Sequence, residues 1–274
     1  MSKKTILISG ATSGLGKQAL LELSQQGHRI IVVSRNWEKM NATVESIKCE
    51  SSNADIACYQ ADFSDISSVK KATQKIAQEH PTINVLINNA GALHMKQERT
   101  DSGVEKTMMV NYFSHFILTM GLLDNLRSAG KSTIINVSSD CYKLPGYAMN
   151  ESSIEDEKYN FNKAYNRSKL AQVQFTRMLK DKLSNDDITV TCVSPGGVKT
   201  DIYAPMPKFL RWLVSLSLKP VNKGVRDIVN IALDADASRF NGEFVSNNKI
   251  KPIPSRYLDK QQMSFLWQQS EAFC

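Results

Sequence analysis

The sequence lacks a long apolar run. No uninterrupted apolar stretch in the chain reaches about 18 residues, the length at which a membrane-spanning helix becomes a candidate. The first apolar strand begins at about residue 5, which leaves no room before it for a signal peptide or an N-terminal anchor. These absences argue against an integral membrane protein and predict a cytoplasmic location without a transmembrane segment.

Cysteine is also scarce. Five cysteines are scattered through the chain, and none forms a CxxC pair. An odd, scattered set argues against a disulfide framework or a zinc site and predicts free thiols in a reducing compartment, with no bound metal. Cys274 at the end of the chain does not form a prenylation signal, because that signal places its cysteine fourth from the end.

Acidic residues are fewer than basic ones, and the formal net charge is +7 at pH 7. The lysines and arginines are dispersed rather than gathered on one element. Their charge therefore predicts a solvated surface and a polyanionic cofactor, not a nucleic-acid partner. Hydrophobic residues make up 42% of the chain, which is enough for a sizeable core and argues against general disorder.

Short apolar runs alternate with helical patterns along the chain, without a linker or a repeat. The alternation predicts a single doubly wound α/β domain over residues 1–274, with a central parallel sheet of about seven strands and helices on both faces. Residues 1–130 would form a cofactor half and 131–246 a catalytic and substrate half, while the polar tail 247–274 packs on the domain or a neighbouring subunit. The predicted strands lie at about 5–9, 29–33, 56–60, 83–87, 133–137, 188–193 and 243–245.

A glycine-rich turn joins the first strand to the first helix. Glycines let the backbone approach a pyrophosphate, and the free N–H groups at a helix start meet its negative charge. The turn therefore predicts a dinucleotide site, with a plain tight turn as the alternative. Its residues are Gly10-Ala11-Thr12-Ser13-Gly14-Leu15-Gly16, a Gly-x-x-x-Gly-x-Gly spacing.

The end of the second strand indicates which dinucleotide binds. An Asp or Glu there would pair with a free ribose 2′-hydroxyl, but the sequence has Ser34, Arg35 and Asn36 instead. The guanidinium fork of Arg35 suits a phosphate, so we expect NADP(H) rather than NAD(H). The alternative is that Arg35 is only an exposed loop charge.

Two further strand ends carry polar or small residues. Asp62, followed by Phe63, comes just after the third strand, and its carboxylate either accepts from the adenine amino group or caps a helix starting near residue 64. Asn89, Ala90 and Gly91 follow the fourth strand, where small and amide residues let a cofactor lie close to the backbone. A simple Asn-Gly-type turn is the alternative for this element.

Tyr165 and Lys169 lie four residues apart in a helix predicted from about residue 162 to residue 183. On an α-helix this spacing places them one above the other on the same face. An ammonium group beside a phenol favours the phenolate and lowers the pKa of the phenol from about 10. Such a pair alone is usually surface, but the nucleotide-binding start of the chain favours a catalytic role.

Several motifs together resemble the short-chain dehydrogenase/reductase family, and the resemblance covers nearly the whole chain in order. Within the family, the segments around Asn111, Ser139 and Tyr165 resemble the retinol dehydrogenase branch, as does the long separation between Ser139 and Tyr165. The motifs are Gly10/Gly14/Gly16, Asn88-Asn89-Ala90-Gly91, Asn111, Ser139, Tyr165/Lys169 and Pro195-Gly196 with Thr200.

The resemblance implies a Rossmann fold and a catalytic set of Asn111, Ser139, Tyr165 and Lys169. Tyr165 would exchange a proton with the substrate oxygen, Lys169 would lower the pKa of Tyr165 and hold the nicotinamide ribose, and Ser139 would polarise the carbonyl. Asn111, through its main chain and amide, would hold a water that links Lys169 to solvent. Ser138 offers the same hydroxyl, but the family pattern favours Ser139.

The resemblance also implies a cofactor site and a mode of assembly. In this family the long helices that carry Asn111 and Tyr165 commonly pair subunits, so we expect a homo-oligomer, either a dimer or a tetramer. The residues expected to bind NADP(H) are Gly10, Thr12, Ser13, Gly14, Leu15, Gly16, Ser34, Arg35, Asn36, Asp62, Phe63, Asn89, Ala90, Gly91, Tyr165, Lys169, Pro195, Gly196, Val198 and Thr200.

Two features depart from the family pattern. Ser9 stands where the family usually has Thr, but the hydroxyl group is retained. The N-terminal anchor of several retinol dehydrogenases is missing from the sequence. Its absence weakens the expectation of a retinoid substrate and of residence in a bilayer.

The substrate side is predicted from apolar residues in two segments. An irregular apolar stretch at 204–218 indicates a lid over an apolar slot, with peripheral membrane contact or a plain core helix as alternatives. The slot would take a small lipophilic carbonyl or alcohol such as a retinoid, a steroid or a fatty aldehyde. The alternatives are a reductase of small polar carbonyls and a catalytically silent protein that senses NADP(H) on the same fold. The expected substrate residues are Ser139, Leu144, Tyr147, Met206, Phe209 and Trp212.

Overall fold

One open sheet runs through the computed structural model, which describes residues 3–51, 54–144, 159–199, 202, 204 and 218–274. Within these residues the sheet has eight strands in the order β3-β2-β1-β4-β5-β6-β7-β8. The first seven are parallel, and β8 is antiparallel to β7. The strands are β1 (Thr5–Ser9), β2 (Arg29–Ser34), β3 (Asp55–Gln60), β4 (Val85–Asn88), β5 (Ser132–Val137), β6 (Ile188–Ser194), β7 (Phe244–Ser246) and β8 (Lys249–Lys251).

Helices cover both faces of the sheet. They are α1 (Gly14–Gln25), α2 (Trp37–Glu50), α3 (Ile66–Glu79), α4 (Lys106–Met108), α5 (Ser114–Gly121), α6 (Leu123–Arg127), α7 (Phe161–Lys182), α8 (Val221–Gly224), α9 (Arg226–Leu233) and α10 (Lys260–Glu271). Apolar residues of α1, α2 and α9 pack in one core cluster, and those of α3, α5, α7 and α10 pack in another. The predicted doubly wound α/β fold is confirmed.

The central strands are buried on both sides, which explains their continuous apolar sequences. In β1, Leu7 belongs to one core cluster, and its neighbours Ile6 and Ile8 belong to the other. This division follows from the alternation of side chains along a strand, and a parallel sheet covered by helices needs apolar residues on both faces. The strand order reverses between β1 and β4, and ligands of such sheets bind outside the carboxyl ends of the strands at this point.

The eighth strand was missed by the sequence prediction of about seven parallel strands. β7 and β8 form a hairpin whose two loop residues, Asn247 and Asn248, have φ angles of 54° and 58°. Two successive positive φ angles are the mark of the tight hairpin turn that favours Asn and Gly. β8 has only three residues, and most of its surface is exposed, so its apolar signal is weak.

The long helix predicted from about 103 to 128 is interrupted. It begins with α4, widens into a π-helical turn at Met109–Phe113, continues as α5 and stops at Leu122 before α6. Helix α3 packs closely at this end: a Cβ added to Gly121 would lie only 2.5 Å from Cγ2 of Thr73. The π-turn places Asn111 in its middle, and such turns are frequent at functional sites.

The C-terminal tail contains a helix that packs on its own domain. In α10, the Trp267 ring centroid lies 5.0 Å from that of Phe116 and 6.2 Å from that of Phe175. The hydroxyl of Tyr112 lies 2.8 Å from Ser270 Oγ. Helix α10 therefore covers part of the surface that the family resemblance assigned to subunit pairing. The homo-oligomer stays a prediction, and pairing through the covered part would require α10 to move.

Candidate active site

The glycine-rich turn after β1 packs directly on the loop after β4. Gly10 and Gly14 have φ angles of +71° and +52°, which L side chains rarely adopt. A Cβ on Gly10 would lie 2.7 Å from Cα of Ala90, and one on Gly16 would lie 2.2 Å from the Gly10 oxygen. A side chain therefore does not fit at position 10 or 16. Without side chains there, a ligand can come close to the backbone of the turn.

The hydroxyl of Ser9 joins the carboxyl ends of β1 and β4. Ser9 Oγ accepts hydrogen bonds from the N–H groups of Asn89 and Ala90, each at 2.9 Å. The amide of Asn89 in turn donates to the carbonyl oxygens of Ser9 at 2.9 Å and Gly10 at 3.1 Å. The hydroxyl that Ser9 retains thus holds two of the predicted cofactor loops together.

The start of α1 is suited to an anion. Among the described residues, its cap Ser13 makes no side-chain hydrogen bond to the helix, and the first turn contains no acidic residue. Thr12, Ser13, Gly14 and Leu15 are partly exposed there. Free N–H groups and the positive end of the helix dipole favour a phosphate. The residues present therefore fit the pyrophosphate of a dinucleotide.

The end of β2 presents Arg35 to solvent. Ser34 is buried, Arg35 and Asn36 are exposed, and the Arg35 carbonyl accepts from the Gln60 side chain at 3.0 Å. Asn36 caps α2, because its Oδ1 accepts from the Lys39 N–H at 2.7 Å. The guanidinium of Arg35 is therefore the cationic group that this strand end offers to a ligand.

Asp62 does not cap the helix that follows it. Its Oδ1 accepts from the N–H of Ser64 at 2.9 Å and from the Ser64 hydroxyl at 2.7 Å. Helix α3 begins at Ile66, and its cap is Asp65, which accepts from the Ser67 N–H at 2.8 Å. The alternative that Asp62 caps this helix was therefore wrong, because the cap lies three residues later, at Asp65.

Phe63 contributes its side chain to the core. It is buried, and its ring meets the ring of His115 edge-on at 5.8 Å. The ring of Phe63 thus packs inward at the end of β3, against His115.

Lys169 is buried beside Tyr165. Its Nζ donates to the Val137 carbonyl at 2.9 Å and lies 5.5 Å from the centroid of the Tyr165 ring. Only 4% of Lys169 is exposed, and burial lowers the pKa of its ammonium group from 10.5 to about 8. The amine thus lies beside the partly exposed ring of Tyr165, on the same face of α7, as the spacing of four residues predicted.

The two serines after β5 have different surroundings. Ser138 is buried, and its Oγ donates to the Lys169 carbonyl at 2.8 Å. Ser139 is partly exposed, and its Oγ accepts from the Cys141 N–H at 3.3 Å. Because Ser138 is committed to the backbone of α7, the geometry favours Ser139 as the hydroxyl that faces a ligand.

Asp140 was not singled out from the sequence, yet it holds the next strand ends together. Its carboxylate accepts from Ser194 Oγ at 2.7 Å, Lys143 Nζ at 2.9 Å and Ser246 Oγ at 3.2 Å. Burial opposes ionisation, but these hydrogen bonds outweigh it and hold the pKa of Asp140 below its ordinary value. An acid directly after two serines at a strand end was the available signal.

The predicted residues after β6 follow this junction. Gly196 has a φ of +74°, and its N–H donates to Ser194 Oγ at 3.3 Å. Val198 is buried against α8, where a Cβ on Gly224 would lie 2.4 Å from Val198 Cγ2. Pro195 lies between them and the strand end. Thr200 lies outside the described residues.

Asn111 binds the loop after β4 to helix α7. Its Oδ1 accepts from the Ala92 N–H at 2.7 Å, while its Nδ2 donates to the Ala92 carbonyl at 3.0 Å and to Ser168 Oγ at 2.9 Å. The amide is therefore engaged by protein groups, and its part in holding a water stays a prediction. A Cβ on Gly91 would lie 3.6 Å from Asn111 Oδ1 and 3.8 Å from Lys169 Nζ, so this loop borders the amine.

The substrate side is only partly covered by the described residues. Leu144 is 49% exposed, whereas Tyr147, Met206, Phe209 and Trp212 lie outside them. A cavity of about 350 Å³ lies between Tyr159, Phe113 and Leu266, and its lining among the described residues includes none of the predicted catalytic or substrate residues. Within the described chain, no helix has the length and apolar character to cross a membrane.

Comparison with known proteins agrees with this geometry. Residues 4–210 match the family model of the short chain dehydrogenases. The chain is 35% identical to human retinol dehydrogenase 13 over 73% of its own length and 60% of that protein's length. It is 31% identical to mouse retinol dehydrogenase 14 over 99% of its own length and 86% of that protein's.

Solved structures show the same fold. An uncharacterised protein from Mycobacterium paratuberculosis superposes with a TM-score of 0.77 at 25% identity, over 99% of this chain and 93% of that one. L-Sorbose reductase from Gluconobacter frateurii, complexed with NADPH and L-sorbose, gives 0.73 at 19% identity, over 92% and 98%. With its family match, its fold and its retinol dehydrogenase relatives, the chain belongs to the short-chain dehydrogenase family of oxidoreductases.

Proposed function

We propose that the protein transfers hydride between NADP(H) and a lipophilic carbonyl or alcohol. The observation that carries this proposal is the buried amine of Lys169, 5.5 Å from the Tyr165 ring and next to the loop that contacts the glycine turn. Burying a lysine costs free energy, and buried lysines are rare unless a partner or a function offsets that cost. Here the charge would lie between a phenol and the place where a nicotinamide ribose fits.

In this proposal Tyr165 gives a proton to the carbonyl oxygen during reduction and takes it back during oxidation. Lys169 favours the phenolate by its charge and donates hydrogen bonds to the ribose. Ser139 donates a hydrogen bond to the same substrate oxygen and orients it. The bound nicotinamide supplies the hydride chemistry, while the protein supplies placement and electrostatics.

The cofactor preference rests on Arg35 and on the lack of a carboxylate at the end of β2. L-Sorbose reductase, which shares the fold, is complexed with NADPH in its crystal structure. For the substrate, the relatives are named retinol dehydrogenases, and the sequence at 204–218 is rich in apolar side chains. Both points support a lipophilic substrate and a phosphate-bearing cofactor.

The direct test is the substitution Tyr165→Phe. It removes the proton donor but keeps the ring, so kcat on a lipophilic aldehyde should fall by about 10²–10⁴-fold. The dissociation constant of NADPH, measured by fluorescence titration, should stay within a few-fold of wild type. Wild-type turnover in this variant would remove Tyr165 from the role.

The same assay separates the alternatives. A wild-type protein that binds NADPH but reduces no member of a broad carbonyl panel would be a cofactor sensor rather than an enzyme. Activity confined to small polar carbonyls would discard the lipophilic substrate while keeping the reaction.

The cofactor proposal is tested by Arg35→Glu. The change removes a cation and adds repulsion toward a 2′-phosphate, so the ratio of kcat/KM for NADPH over NADH should fall by about tenfold or more, since 1.4 kcal/mol is tenfold. Arg99→Glu, which changes an exposed arginine elsewhere by the same charge, is the control. An unchanged ratio in Arg35→Glu contradicts the assignment of NADP(H).

A further inference from the structure

A buried histidine lies between the glycine turn and the catalytic helix. His115, in the first turn of α5, is fully buried. Its Nε2 lies 3.1 Å from Ser9 Oγ, and its Nδ1 lies 2.8 Å from Gln172 Nε2 and 3.2 Å from the Asn111 carbonyl oxygen. Gln172 Nε2 also donates to that carbonyl at 2.5 Å. No residue of this link except Asn111 was predicted as part of the site.

His115 stays neutral at physiological pH. Burial, followed by the nearby charge of Lys169, lowers the pKa of its imidazole to about 3. A neutral imidazole has one donor nitrogen and one acceptor nitrogen. The amide nitrogen of Gln172 lies within hydrogen-bond distance of both the Asn111 carbonyl oxygen and His115 Nδ1. His115 Nε2 forms the hydrogen bond to Ser9 Oγ, which also accepts from the N–H groups of Asn89 and Ala90.

The link connects two groups that the reaction must hold in register. Ser9 immediately precedes Gly10 and holds the Asn89 and Ala90 amides, so it fixes the cofactor turn. Gln172 lies three residues after Lys169 and therefore shares its side of α7. A continuous chain of buried hydrogen bonds thus runs from the cofactor turn to the helix of the proton donor.

We propose that His115 is a positioning residue that fixes the spacing between the glycine turn and the Tyr165–Lys169 helix. The proposal rests on the proposed hydride transfer and deepens it. Loss of the imidazole lets the turn and the helix shift relative to each other, and a displacement of about 1 Å can cost about 10²-fold in rate.

Stability alone does not account for this arrangement. The link leaves Gln172 Oε1 buried without a hydrogen-bond partner among the described residues. An unsatisfied buried polar atom costs about 1–3 kcal/mol. An apolar side chain of similar size in place of Gln172 would avoid that cost. What the polar link provides and an apolar residue does not is a fixed geometry between Ser9 and Gln172.

The test compares His115→Leu with Thr119→Val, which removes a buried hydroxyl one turn later on the same helix, outside the link. The measurement is the single-turnover rate of hydride transfer per NADPH-bound site, with NADPH and with NADPH deuterated at the transferred position. His115→Leu should lower this rate by about 10²-fold and raise the primary isotope effect. Thr119→Val should leave both near wild type.

Gln172→Leu, at the other end of the link, should lower the rate similarly, and the double variant should be no slower than the slower single variant. If His115→Leu does not fold, Gln172→Leu and Ser9→Ala give the same readout. An unchanged rate per bound site, with only a lower Tm, overturns the positioning role. A wild-type protein that binds NADPH without any turnover instead overturns the proposed function, and this role with it.

Discussion

Helix α7 carries two successive buried stripes of opposite character, one polar over residues 168–172 and one apolar over residues 175–179. Ser168, Lys169 and Gln172 face the sheet, Asn111 and His115, and are joined by hydrogen bonds. Phe175 and Leu179 belong to the core cluster that also contains apolar residues of α5 and α10. The first stripe brings charge and amides into a dry environment, whereas the second removes apolar area from water.

The two stripes therefore contribute with opposite sign to stability. Burying apolar side chains is favourable in proportion to their area, while burying an ammonium group costs free energy that only partners or function can offset. The comparison predicts that changes on the apolar stripe lower stability and spare the chemistry. Changes on the polar stripe should impair the chemistry and leave stability unchanged or higher.

Trp267→Ala should have the largest effect on stability. It removes the ring that packs on Phe116 and Phe175, and the free energy of unfolding should fall by about 3–5 kcal/mol in urea titrations. Gln268→Ala, exposed on the same helix, is the control. The value of kcat per NADPH-bound site should not change; a large loss would show that the two stripes are coupled.

Lys169→Met should show how much the buried charge costs. Below pH 8 the lysine is protonated in both folded and unfolded states. Between about 8 and 10.5 only the unfolded state keeps its proton, so the unfolding free energy of the cofactor-free wild type rises with pH. Relative to Lys169→Met, the rise should be about 3 kcal/mol.

The pH dependence is read from urea titrations of both proteins between pH 7 and pH 10. Lys71→Met, at an exposed position of α3, should show no such difference. A flat difference between wild type and Lys169→Met would mean that the amine is not buried. Turnover of Lys169→Met should be nearly abolished at every pH.

Ser270→Ala should have the smallest effect. Ser270 Oγ donates to the Leu266 carbonyl, so the Tyr112 hydroxyl donates to Ser270 Oγ. Without that acceptor the buried hydroxyl is unpaired, and stability should fall by about 1–3 kcal/mol. Adding Tyr112→Phe should recover most of the loss. No recovery would place the cost in α10 itself rather than in the polar contact.

The sequence predicted the parts of the fold that local patterns encode. Continuous apolar runs identified the central strands, and the glycine spacing identified the turn that contacts Ala90. It did not reveal the stop at Leu122, because that stop depends on how closely α3 approaches Gly121. It also did not reveal His115 and Gln172, because their partners lie far away in the chain and both residues look like ordinary members of helices.

The docking of α10 on α5 and α7 has a consequence for folding during synthesis. The ribosome synthesises α7 well before α10. Until α10 is made, the rings of Phe116 and Phe175 lack their contact with Trp267. Transiently exposed aromatic surface of this kind invites aggregation and chaperone binding. Docking of α10 ends this exposure.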